Sequence, residues 1–125
     1  MLIILHFPLP HNILIYYEQR GYGGVDTHMA HLINNWPDLD SQFIILSNPD
    51  NDGLGYLEHQ LKISKVKIIR INEIFINYTN RLGKYGRIIN RVFTHFRFIR
   101  KFPKVLNRYA PDILISNNGG YPGGL

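Results

Sequence analysis

The sequence predicts an α/β protein built on a Rossmann-like parallel sheet flanked by helices. Three features point there. Short β-rich runs alternate with stretches of helical periodicity along the 125 residues, as in successive βαβ units. The runs are nearly continuous in apolar character, as strands covered on both faces are. Two of them run into glycine-rich turns, and open α/β sheets place their ligands at the carboxyl ends of strands.

Ile13 to Tyr17 is the first strand. Val25 to Trp36 then carries Val25, Met29, Leu32, Ile33 and Trp36 at helical spacing, and Pro37 ends that helix because its ring cannot continue the hydrogen-bond ladder. Gln42 to Leu46 is the second strand, closed by "SNPDNDG", a cluster of turn-forming residues. Leu54 to Ile63 reads as a short helix and Val66 to Ile71 as a third strand. In the longest helical segment Tyr85, Ile88, Ile89, Val92, Phe93, Phe96 and Ile99 form one stripe, expected to face the sheet, with Pro103 starting a new turn before Tyr109. Ile113 to Ser116 is the fourth strand. The first and fourth strands are both apolar on two sides and are expected in the interior of a parallel sheet with right-handed crossovers.

Composition narrows the function. Hydrophobic residues are 45% of the chain and charged ones 18%, enough apolar surface for a folded core and against disorder. The length suits about one domain. With no cysteine there is no disulfide scaffold or thiolate metal site, which fits a reducing compartment and makes the cytoplasm the default location. The opening "MLIILHFPLPHNILIYY" lacks a basic leader and is interrupted by His6, Pro8, Pro10 and His11, so it reads as neither signal peptide nor membrane anchor.

The stretch "RGYGGVDTHMAHLINNW" places a glycine-rich turn between the first strand and the first helix. A helix starting near Val25 aims unpaired N–H groups at that turn, and Gly23 and Gly24 let a phosphate approach the backbone. A plain tight turn would use the same residues. A dinucleotide fingerprint is excluded: counting from Gly21, the third glycine falls on Asp26, and no acidic residue ends the second strand. No Gly-Lys-Ser/Thr occurs, so the turn is not a P-loop either.

"RGYGGVDTHMAHLINNW" followed by a strand, together with "APDILISNNGGYPGG", resembles the N-terminal, acceptor-side domain of retaining family-four glycosyltransferases of the GT-B type. The similarity covers most of residues 12 to 124. It implies an enzyme that moves a sugar from a nucleotide-sugar donor to a glycan or lipid-linked acceptor in polysaccharide or lipopolysaccharide biosynthesis. No metal or cofactor is expected beyond the nucleotide-sugar, which is a substrate. Residues 1 to 125 would be one half of that fold, incomplete and inactive alone, with the nucleotide-binding domain and its paired glutamates lacking. By the same resemblance Gly23 and Gly24 line the cleft near the donor diphosphate, and Asp26 and His28 are first-helix contacts. Asn117, Asn118, Gly119, Gly120 and Tyr121 form the acceptor-side loop. Asn117 and Asn118 stand where relatives often carry a histidine, and an amide takes no proton at neutral pH, so the catalytic base is left unassigned.

The net charge of +5 is unevenly spread. No Asp or Glu occurs between Ile74 and Pro111, whereas nine of the fourteen Lys and Arg fall between Arg81 and Arg108. Arg87, Arg91, Arg97, Arg100 and Lys101 accompany several phenylalanines, a composition found in helices that lie on anionic membranes. Against this stands the ordinary reading of the arginines as the solvated outer face of a sheet-packed helix. On the membrane reading the enzyme would sit peripherally at the inner membrane face; the alternative to the enzyme is a basic membrane- or nucleic-acid-binding α/β module without catalysis, although no nucleic-acid motif occurs.

Overall fold

A computed structural model describes residues 11–18, 23–62, 65–72, 74 and 83–117. The elements are β1 (Asn12–Tyr17), α1 (Gly24–Asn34), β2 (Gln42–Ser47), α2 (Leu54–Gln60), β3 (Val66–Arg70), α3 (Lys84–Tyr109) and β4 (Ile113–Asn117). The four strands form one parallel sheet in the order β3-β2-β1-β4. This is the expected α/β arrangement, a Rossmann-like parallel sheet with helices on both faces.

Strand alternation divides the core in two. Ile13, Ile15 and Tyr17 of β1 point to the side where Phe43 and Ile45 of β2 meet Met29, Ala30 and Ile33 of α1 and Leu54 and Leu57 of α2. Leu14 and Tyr16 point to the other side and pack with Leu46 against Phe102 and Val105 of α3. Because β1 is buried on both faces along Ile13 to Tyr17, its apolar run is uninterrupted.

Three expectations need correction. β4 is an edge strand, not an interior one: the chain returns past β1 to its free side, and β1 is the only described strand with which β4 pairs. Its residues accordingly alternate between half-buried and exposed, with Leu114 open to solvent. Pro103 does not start a new turn, since α3 runs unbroken from Lys84 to Tyr109. An interior proline costs a helix about 3 kcal/mol, and burial of Phe102 and Val105 on either side of it offsets that cost.

The third concerns the stripe of α3. Tyr85, Ile89, Val92, Phe93, Phe96 and Ile99 do not face the sheet; they are exposed, Tyr85 at 80% and Phe96 at 74%. The sheet is met instead by Phe98, Phe102, Val105, Leu106 and Tyr109. At ~100° per residue this second face lies roughly a third of a turn around the helix from the first. The helix thus carries two apolar faces, one mostly in each half, and the shorter one is the packed one.

Among the described residues no helix is long and apolar enough to cross a membrane.

Candidate functional site

In this strand order the chain runs outward from β1 through β2 to β3 and then reappears on the opposite side of β1 as β4. The carboxyl ends of β1 and β4 therefore flank the point where the direction of winding reverses, which in open α/β sheets is where a crevice for ligands forms. Tyr17, at the end of β1, is in register with Asn117 on one side and Ser47 on the other. The ladder continues one step further, because the N–H of Glu18 donates to the carbonyl of Asn117 at 2.9 Å.

Tyr17 also fixes the start of α1. Its hydroxyl donates to Oδ1 of Asp26, while Oδ2 of the same carboxylate accepts from the N–H of Gly23 at 2.6 Å. The N–H of Asp26 in turn donates to the carbonyl of Gly23 at 3.1 Å. Asp26 therefore closes the first turn of α1 from within, as an acidic residue at the third helical position does. It is fully buried, at 0% exposure. Burial pushes its carboxyl above the ordinary aspartate range, partly opposed by the N–H groups of Gly23 and of Asp26 itself.

The Asp26 carboxylate, engaged by Tyr17 and Gly23, thus shapes the turn. Gly24 is different. It is exposed as the first residue of α1, and a β-carbon built on it would meet nothing within 4 Å. Neither packing nor a left-handed backbone calls for glycine there, and what a side chain would fill is the open space beside the helix N-terminus. His28, one turn on, is also exposed and lies on the same side of α1 as Gly24.

Of the residues read as a site, Gly23, Gly24, Asp26 and Asn117 are thus joined through Tyr17 at one edge of the sheet. Asn118, Gly119, Gly120 and Tyr121 lie outside the described residues. Arg87, Arg91, Arg97, Arg100 and Lys101 belong to α3, on the other face of the sheet from α1.

Two residues join the site that motif reading passed over. Tyr17 counted only as a strand residue, and Glu18 not at all. Glu18 is 8% exposed and sits beside the reversal point. Its position directly after the apolar run of β1, where such sheets carry their chemistry, was the available signal. At the end of β2 the polar cluster is internally satisfied. Asn51 donates from Nδ2 to Ser47 Oγ at 3.1 Å and accepts from the N–H of Gly53 at 3.0 Å, and Asn48 accepts from the N–H of Asp50 at 3.0 Å. That segment is the turn its sequence suggested. Among the described residues no three His, Asp or Glu side chains converge as a metal site would require.

No protein-family model, curated protein or solved structure matches this chain.

Proposed function

We propose that this chain is the acceptor-side half of a retaining glycosyltransferase that moves a sugar from a nucleotide-sugar donor to a glycan or lipid-linked acceptor. The observation that carries the reading is the opening at Gly24: an exposed glycine with no steric reason of its own, on the first turn of a helix that begins at the carboxyl edge of the sheet. Such an end attracts the diphosphate of a donor. The motif Gly23-Gly24-Val25-Asp26-Thr27-His28 in register after β1 supplies the likeness to a sugar-transferring enzyme.

In this reading the residues divide the work. Tyr17 and Asp26 hold the turn rigid, so that the amides near Gly24 are positioned before the donor arrives. Asn117 and the loop after it meet hydroxyl groups of the acceptor. Glu18, between the two, is an acidic side chain at the crevice and would stabilise positive charge developing on the sugar.

The test is a transfer assay on the full polypeptide that contains these residues, with a panel of nucleoside-diphosphate sugars and a membrane extract as acceptor. Sugar should pass to a glycan or lipid product. In the chain of residues 1 to 125, millimolar nucleoside diphosphate should move the amide resonances of Gly24 and Val25 before others. No transfer from any donor, with those two amides unmoved, overturns the reading.

A further inference from the structure

The exposed stripe of α3 has no part in that chemistry, and its position relative to the sheet gives it another. Phe98 and Phe102 meet Tyr16, near the carboxyl end of β1, with ring centroids 5.8 and 5.7 Å away. Tyr109, at the other end of the helix, lines a cleft with Gln42 and Val66, the first residues of β2 and β3. Phe98 to Tyr109 therefore already spans the sheet from its carboxyl to its amino edge. At ~1.5 Å per residue the preceding half of α3, from Lys84, extends roughly 20 Å past the carboxyl edge. That is the edge at which α1 begins and β1 and β4 end.

We propose that this overhanging half of α3 is a docking surface for an anionic lipid bilayer, and that it seats the carboxyl edge of the sheet at the membrane. The inference stands on α3 alone and does not depend on the sugar-transfer reading.

Charge selects the occupant. The helix has eight Lys and Arg side chains and no Asp or Glu. Ile89, Phe93 and Phe96 share one concavity with Arg97, Arg100 and Lys101, so apolar and cationic groups are offered together. A second copy of the chain would bring two such helices face to face, like charge against like, with no acid to relieve it. An anionic bilayer accepts both kinds of group: the acyl boundary takes the isoleucines and phenylalanines, and the headgroups take the cations. The helix is strongly amphipathic but too polar overall to cross the membrane, as helices lying in the interface are.

The experiment is flotation of the chain with vesicles of phosphatidylcholine alone or with about one third phosphatidylglycerol, the proportion of anionic lipid being on the order found in charged leaflets. Binding should require the anionic lipid and weaken as salt is raised. Each basic residue near such a surface accounts for about a fivefold change in partition, so Arg97→Gln, Arg100→Gln and Lys101→Gln combined should weaken it on the order of a hundredfold. Phe96→Ser should weaken it about tenfold or more, while Leu39→Ser, exposed on the opposite side of the fold, should leave it unchanged. Circular dichroism should show all variants folded, since Leu39, Phe96 and Arg100 are exposed and Arg97 and Lys101 are half-buried, none of them in the apolar core. In Phe96→Trp the added emission, read over the constant background of Trp36, should shift to shorter wavelength with anionic vesicles. Absence of binding, equal binding to both vesicles, or an unmoved Phe96→Trp emission overturns the proposal. So does a dimer in solution that Phe96→Ser dissolves.

Discussion

The hydroxyl of Tyr17, the last residue of β1, donates to the buried carboxylate of Asp26 in the first turn of α1. One side chain thus ties the central strand to the helix that follows it. Because Tyr17 is also in register with Ser47 and Asn117, the start of α1 is held in place relative to the ends of three strands.

Removing that hydroxyl tests the anchor. Tyr17→Phe keeps the ring in the core but leaves a buried carboxylate oxygen without its donor, which costs about 1 to 3 kcal/mol. Urea unfolding at neutral pH should show that loss with an unchanged dependence on denaturant. A variant as stable as the parent would remove the anchor.

Asp26 predicts a pH effect of definite sign. Its folded carboxyl lies above the ordinary value, because burial disfavours the charged form more than the neighbouring N–H groups favour it. Below the unfolded value of about 4 both states are protonated and the full contribution is present. As pH rises through the folded value, the native state must take a charge it resists and stability falls. Asp38 works in the opposite sense, its carboxyl lowered by the Ser41 hydroxyl and the Asp40 N–H, so the parent alone is ambiguous. The difference between parent and Asp26→Asn isolates the group. The parent should lose stability relative to Asp26→Asn between pH 4 and pH 7. A difference independent of pH, or one running the other way, refutes the assignment.

Much of this architecture was open to reading from residue types. Ile13 to Tyr17, Gln42 to Leu46 and Val66 to Ile71 were strands, because unbroken apolar runs of that length fit a sheet covered twice. The stripe of α3 misled for a physical reason. Periodicity reports that a helix has an apolar face but not what covers it: among the described residues the strands meet α3 from Phe98 onward, and between Tyr85 and Phe96 Thr94 is buried while the apolar stripe stays exposed. The position of β4 was equally hidden, since Leu114 has the same character on an edge as in the interior. At the site, glycines and asparagines announced themselves by type. Tyr17 did not, because its role depends on a register that places its hydroxyl under a helix nine residues later.

The junction between α3 and β4 carries strain that a substitution can release. Ala110 caps α3 with φ 40° and ψ 56°, and its N–H donates to the carbonyl of Leu106 at 2.8 Å. An L side chain in the left-handed region costs about 1 kcal/mol or more, and Pro111 narrows the choices of the residue before it further. Glycine at this C-cap has no such penalty. Ala110→Gly should therefore stabilise the chain by about 0.5 to 1 kcal/mol, the gain being reduced by the greater freedom of the unfolded glycine. Thermal unfolding measures it directly, and destabilisation would show that the cap is not strained.

Gly24→Val is the test on which the proposed site turns. A tight-turn glycine would disturb folding when replaced, whereas a glycine kept small for a ligand would disturb binding alone. Here the structure separates the two. The added side chain meets no atom within 4 Å, and a residue in a helical first turn gains from losing glycine's freedom. Gly55 makes a close control: it lies in the first turn of α2, and its added β-carbon also meets nothing within 4 Å. Both variants should unfold within about 0.5 kcal/mol of the parent. In the full polypeptide Gly55→Val should transfer sugar at the parent rate. Gly24→Val should lose transfer by on the order of a hundredfold, because a branched side chain displaces the diphosphate from the helix N-terminus and with it the reacting sugar. Weaker donor affinity should accompany the slower rate. If Gly24→Val folds normally and transfers sugar like its parent, the turn between β1 and α1 has no part in the reaction.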